Sequence, residues 1–175
     1  MKSDPNLPET PDNIVIRLAI TDELAEITRN PDLHLSPEFV SSAAERGDIM
    51  FGAFDGNVLV SYLWRTTKSA PYSEKLWIEV PFPYCYCYNS YTLPAYRGQR
   101  LSPVNHLLSD AAMSREGFKY RVGFVSLSNY ASLAMGKYMG SGNLGYAGYL
   151  AWFGRHISFR TKPVRDIGLE FFRRD

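Results

Sequence analysis

A chain of 175 residues, 45% of them hydrophobic, has the material for one domain with a full core. Its charged residues, 21% of the chain, nearly cancel to a net charge of +1, which gives no field for recruiting nucleic acid or an anionic membrane. No apolar run approaches the roughly 20 residues that a membrane-spanning helix needs.

The opening MKSDPNLPETPDN is polar and Pro-rich and lacks the apolar core of a signal peptide. It reads as a disordered lead-in over residues 1–13, ahead of one domain over 14–175 in a cytoplasmic protein. IVIRLAI (14–20) reads as a first strand. TDELAEITRN follows as a short helix, capped by Thr21 or Asp22. SPEFVSSAAERGD is a second helix, with Ser36 as cap, Pro37 at the first turn and a stop at Gly47. IMFGAF and VLVSYLW flank Asp55-Gly56-Asn57 and predict a hairpin. RTTKSAPYSEK reads as a loop and LWIEV as a short strand broken by PFP.

YCYCYNSYTL reads as a longer strand ending at Pro94. Cys85 and Cys87 lie two apart and point to one face, which suits neither an easy disulfide nor a metal site. They read as packed, reduced thiols. His34, His106 and His156 are scattered without ligand spacing, so no metal is expected.

The next helix has Val104, Leu107, Leu108, Ala111 and Ala112 on one apolar face. Ser102 is the expected N-cap, Pro103 the first helical residue and Gly117 the stop. His106 lies about 200° from Val104 and reads as a solvated helix residue. YRVGFVSL (120–127) is apolar on both faces and predicts an interior strand in parallel pairing. SNYASLAMGKYMG is a helix capped by Ser128 or Asn129. GYAGYLAWFG and IGLEFF are late strands, with HISF as an extension of one. The strand–helix–strand unit from 85 to 127 predicts a right-handed crossover between parallel neighbours, while the hairpin makes the first half antiparallel.

The turn between strand and helix, LPAYRGQRLSP (93–103), raises a separate question. A helix N-terminus leaves N–H groups unpaired and favours an anion. Gly98 can take a positive φ or let a ligand approach closely, and Arg97 and Arg100 suit phosphate oxygens. A capped turn with solvated arginines is the plainer alternative.

The stretch YTLPAYRGQRLSPVNHLL, then a strand, then NYASLAMGKYMG, resembles the GNAT acyltransferase superfamily. That family ends a strand in V-x-P-x-Y-R-G, opens a pyrophosphate turn of the form [QR]-x-x-G-x-[GA], and later has a helix like N-x-x-A-x-x-L-Y-x-K-x-G-F. The likeness runs in order over about residues 14 to 155. It implies an α+β fold: a mixed, mostly antiparallel sheet of six to seven strands, a parallel fourth–fifth strand pair, and helices on both faces. It implies a single acyl-CoA N-acyltransferase domain over 14–175 that uses acetyl-coenzyme A as co-substrate without a metal. Tyr91 and Leu93 are then expected to offer backbone groups to the pantetheine arm, as an extra strand would. Arg97, Gly98, Gln99, Arg100, Leu101 and Ser102 are expected at the pyrophosphate, and Asn129 and Ser132 near the arm. Arg100 stands where the family usually has Gly, and Pro103 removes one N–H.

Acyl transfer to an amine needs proton removal from the ammonium, a donor for the developing oxyanion and help for the leaving thiolate. The resemblance puts the oxyanion donor in backbone near Leu93. The family's usual acid, a helix Tyr, corresponds here to Gly136; Tyr138 reads as packing against the sheet. Candidate bases are Tyr86, eleven positions before Arg97, and Glu79 in WIEVPF; Asn89 can orient a substrate. The expected function is acetyl transfer by direct attack of a small-molecule or chain-end amine, in a cleft walled by PYSEKLWIEVPFPYCY. An amino sugar, an amino-acid derivative and a polyamine all remain open as acceptors. The rival reading is a non-catalytic CoA-binding sensor or interaction module. A homodimer through the tail GYLAWFGRHISF is compatible with either.

Overall fold

The computed structural model describes residues 9–73, 75–152 and 155–174. Among them the strands are β1 (Ile14–Leu18), β2 (Ile49–Asp55), β3 (Val58–Thr66), β4 (Ser69–Pro71), β5 (Leu76–Glu79), β6 (Tyr84–Thr92), β7 (Tyr120–Gly123), β8 (Ala147–Trp152), β9 (Arg155–Arg160) and β10 (Glu170–Arg173). The helices are α1 (Thr21–Ile27), α2 (Pro37–Arg46), α3 (Leu101–Arg115), α4 (Tyr130–Tyr138) and α5 (Lys162–Asp166). Of the expected lead-in, residues 1–8 lie outside the described residues, and 9–13 run without helix or strand into β1. Phe153 and Gly154, in the tail proposed as a dimer edge, also lie outside them.

The local signals act as chemistry dictates. Gly56 turns the β2–β3 hairpin at φ +57°. Ser36 accepts the Phe39 N–H at 3.1 Å to cap α2, and Gly47 ends it at φ +80°. For α1 the cap is Ile20, whose N–H donates to Glu23 Oε2 at 3.1 Å, in place of the expected Thr21 or Asp22.

β1, β2, β3, β6 and β7 form one sheet in that order, antiparallel except for the parallel β6–β7 pair. This is the mixed α+β class expected from the resemblance. The main sheet has five strands, because the remaining ones go elsewhere: β10, β5 and β4 form a second sheet and β8–β9 a separate hairpin. β4 falls where a loop was expected. β7 lies at the sheet edge rather than in its interior, and Tyr120 is 55% exposed. No helix among the described residues is long and apolar enough to cross a membrane.

Helices cover both faces. Val40 and Ala43 of α2 bury against Met50, Phe54, Trp64, Tyr86 and Tyr88. On the other face α3 packs on β1, β2, β3 and β6. Its buried side corrects the expected one: Leu101, Val104, Asn105, His106, Ser109 and Met113 face inward, while Leu107 is 38% exposed. The reason is Arg65 of β3, which is fully buried beneath α3. Its guanidinium donates to Ser109 Oγ (2.6 Å), to Asp110 Oδ1 (2.6 Å) and to the His106 carbonyl (3.4 Å). A buried charge demands such partners, so polar residues occupy the core side of the helix. His106 is therefore enclosed rather than solvated, with Nδ1 3.9 Å from Cys87 Sγ. Desolvation, with Arg65 and Arg121 nearby, pushes its pKa down to about 3. Cys85 and Cys87 are free thiols on this same face, and burial raises the Cys85 pKa.

Candidate functional site

β6 positions the site. It pairs with β7 only from Tyr84 to Cys87, then continues alone on that side to Thr92. The two parallel strands thus splay apart. On its other side β6 pairs with β3, Trp64 opposite Tyr88 but Tyr62 opposite Tyr91. Two residues, Asn89 and Ser90, therefore oppose Leu63 alone, a β-bulge with Asn89 at φ +42°.

The bulge inverts the alternation beyond it. Tyr86, Tyr88, Tyr91 and Leu93 all pack with the α2-side core. The Leu93 N–H donates to Val60 O at 2.9 Å, so the ladder turns Leu93 and Tyr91 toward β3. The peptide groups of Ser90 and Thr92 then face the splay. This corrects the expectation that Tyr91 and Leu93 offer backbone groups there. Tyr91 still lines the cleft.

The turn that follows is built from Gly98 at φ +78° and Arg100 at φ +60°. Tyr96 Oη donates to Asp55 Oδ2 (2.9 Å), which ties the turn to the β2–β3 hairpin and raises the Tyr96 pKa. Arg97 Nε donates to Thr92 O (3.1 Å), and its cation lies 5.6 Å from the Tyr91 ring centre. Gln99 reaches back to Ala95 O at 3.4 Å. Arg100 is the N-cap of α3, so the helix begins at Leu101 rather than after a Ser102 cap, and Pro103 sits within its first turn. Val104 N–H closes that turn on Arg100 O at 3.2 Å. Among the described residues, the N–H groups of Gly98 through Ser102 find no intrachain partner, and neither does the Arg100 guanidinium. Successive free N–H groups at a helix start form an anion cradle.

Opposite stands α4. Asn129 Oδ1 accepts the Ser132 N–H at 3.1 Å and caps it. A cleft of about 600 Å³ lies between, lined by Ser90, Tyr91, Thr92, Arg97, Gly98, Arg100, Leu101, Ser102, Asn129, Ser132 and their neighbours. Eight of the expected cofactor residues line it (Tyr91, Arg97, Gly98, Arg100, Leu101, Ser102, Asn129 and Ser132); Gln99 sits in the turn with its side chain on Ala95 O, and Leu93 is not among the lining residues. Pattern reading missed Met135 and Ser90, which complete the wall.

A second cleft, about 410 Å³, begins at Asn89, the other bulge residue. Tyr86 lines it together with Tyr88, Tyr72, Phe39 and Phe124. Tyr86 is 2% exposed, and burial raises its pKa far above the ordinary phenol value. Glu79 ends β5 on the second sheet, solvent-exposed, and lines neither cleft. From the stretch expected as a wall, Pro71, Tyr72, Ser73 and Tyr86 line it, whereas Trp77 stacks toward Phe172. Tyr138 is 64% exposed rather than packed on the sheet, and Gly136 holds the position of the missing acid. No group of three His, Cys, Asp or Glu among the described residues could hold a metal ion.

Comparison with known proteins matches the backbone. No family model matches the chain, and no curated protein matches it in sequence. Solved structures do match. A complex of the acetyltransferase AAC(6')-Iy with a bisubstrate analog, CoA-S-monomethyl-acetylneamine, is 13% identical, with a TM-score of 0.60 over 74% of this chain and 91% of that one. The apo aminoglycoside 6'-N-acetyltransferase AAC(6')-IG of Acinetobacter haemolyticus is 14% identical, TM-score 0.57, over 82% and 99%. A transcriptional regulator from Bacillus halodurans is 15% identical, TM-score 0.57, over 80% and 99%. At such identities the likeness is one of fold.

Proposed function

We propose that this chain, which has the GNAT acetyltransferase fold, is an N-acetyltransferase. It moves an acetyl group from acetyl-coenzyme A to an amine of a small molecule or chain end, by direct attack. The observation that carries this reading is the meeting of two clefts at one bulge: Asn89 opens one and Ser90 the other. The solved complex of AAC(6')-Iy with a CoA-linked bisubstrate analog supports a donor and an acceptor side by side on this fold.

The chain's own residues divide the work. The free N–H groups of Gly98 to Ser102, with Arg100, hold the pyrophosphate. The outward peptide groups of Ser90 and Thr92 take the pantetheine arm, and the Thr92 carbonyl is steadied by Arg97. The Ser90 N–H is the donor best placed for the developing oxyanion. Asn129 and Ser132 shape the opposite wall. Tyr86 stays protonated and orients the acceptor or a water; water receives the proton, because Glu79 stands outside the cleft. With Gly136 in place of a helix Tyr, the thiolate also takes its proton from water.

A second reading is a coenzyme A-binding module without turnover. Gly136 favours it, as does the fold's occurrence in a protein described as a transcriptional regulator. The test is acetyl-coenzyme A binding by calorimetry, followed by thiol release against a panel of amines. Binding with amine-dependent release supports the transferase. Binding without release from any amine supports the module.

A further inference from the structure

We infer that the acceptor is a monoamine carried on an aromatic or other flat apolar body, and neither a polyamine nor an amino sugar. This rests on the transferase reading above and concerns the Asn89 cleft alone.

The cleft is a box of rings. Tyr72 meets Phe124 edge-on at 5.1 Å, Phe39 meets Tyr88 at 6.1 Å, and Tyr86 stacks on Tyr88 at 5.8 Å. These contacts fix the walls before any ligand arrives. Beside the phenol hydroxyls, its polar side chains are Ser73 and Asn89. Among the described residues no Asp, Glu, Lys, Arg or His lines it. The nearest buried carboxylate is Asp48, behind Tyr88. Its side chain is 1% exposed and already engaged by Arg46 at 2.7 Å and by the Tyr88 hydroxyl at 2.5 Å.

Those walls discriminate by desolvation. A second ammonium, or a ring of sugar hydroxyls, would leave water here for few partners, and none of the described lining side chains carries a charge to offset the penalty. One ammonium meets ring faces, which attract a cation. An apolar body fills a space of this size by ordinary burial. The rings' attraction for the cation is weaker than the hydration the ammonium gives up, so the same walls still favour the neutral amine and the reaction runs without a carboxylate base. The step then balances simply. The amine nitrogen bonds to the acetyl carbon, the carbon–sulfur bond breaks, one amine proton goes to water and the thiolate takes up one proton. Amine and thioester become amide and thiol with no change of oxidation state.

The test uses the full chain with acetyl-coenzyme A and three amines at equal concentration: 2-phenylethylamine, spermidine and neamine. The expected result is a kcat/KM for 2-phenylethylamine at least tenfold above the other two. A preference for spermidine or neamine overturns the inference and leaves the transferase standing. Coenzyme A binding with no thiol release from any amine overturns the transferase reading, and the acceptor class with it. Tyr72 is 41% exposed, so Tyr72→Leu is well tolerated as a probe. It should raise KM for 2-phenylethylamine about tenfold with acetyl-coenzyme A affinity unchanged; an unchanged KM overturns the assignment of this cleft. Ser73→Asp, at an exposed position, should shift the ratio toward spermidine, and an unmoved ratio counts against the inference in the same way.

Discussion

Arg65 and Asp110 form an ion pair at 2.6 Å in which one partner is sealed from solvent and the other reaches it: side-chain exposures are 0% and 36%. Asp110 also binds Arg121 of β7 at 2.5 Å, so one carboxylate joins β3, α3 and the edge strand. Removing it strands a buried cation. Asp110→Ala is expected to cost about 3 kcal/mol, read as a lower urea midpoint with unchanged m-value. Arg65→Met, which removes the charge itself, should cost less. An Asp110→Ala protein as stable as the wild type would refute this account of α3.

His106 gives the fold a pH dependence of definite sign. Its folded pKa of about 3 lies below the ordinary imidazole value of 6.5, so the unfolded chain takes up a proton that the folded chain refuses. The stability contribution is complete above pH 6.5 and is lost as pH falls toward 3. Between pH 6.5 and 4.5 one such group removes about 2 kcal/mol. The check is the difference between wild type and His106→Gln, since Glu23, held low by Arg17, adds its own loss in acid. The difference should shrink as the pH falls through this window.

Arg100 carries a backbone conformation that L-residues avoid, φ +60°, at the mouth of the candidate cofactor cleft. Arg100→Gly relieves that strain and should stabilise the fold by about 1 kcal/mol. It also removes a cation, so acetyl-coenzyme A should bind roughly tenfold more weakly, and more so at low salt. Arg100→Ala should show the weaker binding without the gain in stability. Thermal melts and calorimetry separate the two effects; equal affinity in all three proteins would place Arg100 outside the site.

Tyr62 holds the bulge from behind. Its hydroxyl donates to Leu33 O at 2.9 Å and lies 3.4 Å from Asn89 Oδ1. Tyr62→Phe leaves the Leu33 carbonyl unpaired and should cost about 1 kcal/mol. Thiol release should slow while coenzyme A affinity holds, because the disturbed residue faces the acceptor cleft. Loss of affinity with intact turnover would argue against that placement.

Apart from β4 and α5, the order of strands and helices was legible, and the α2 caps and the hairpin corner follow from residues whose preferences are local: Ser36, Pro37, Gly47, Gly56. Gly98 announced its positive φ for the same reason. Two features were hidden because they are tertiary. Counting apolar positions on α3 favoured Leu107 and Leu108, yet the core side is set by Arg65, a residue some 40 positions away whose burial no periodicity reports. And the family likeness, carried over position by position, gave Tyr91 and Leu93 the backbone parity that faces the cofactor. One inserted residue at Asn89–Ser90 reverses that parity, and only the partner strand reveals it. The acceptor wall was half visible: Tyr72 and Tyr86 fell in the stretch singled out, whereas Phe39 arrives from α2 and Phe124 from beyond β7.

The free edge of β6 beyond Cys87 has a thermodynamic side. A sheet that pairs over four parallel positions and then splays is completed by whatever occupies the gap. Folding and occupancy are therefore linked. A co-substrate present at a hundredfold excess over its Kd adds about 2.7 kcal/mol to the folded state. Under the proposed function, the supply of acyl donor then sets how much of this protein persists, as well as how fast it turns over.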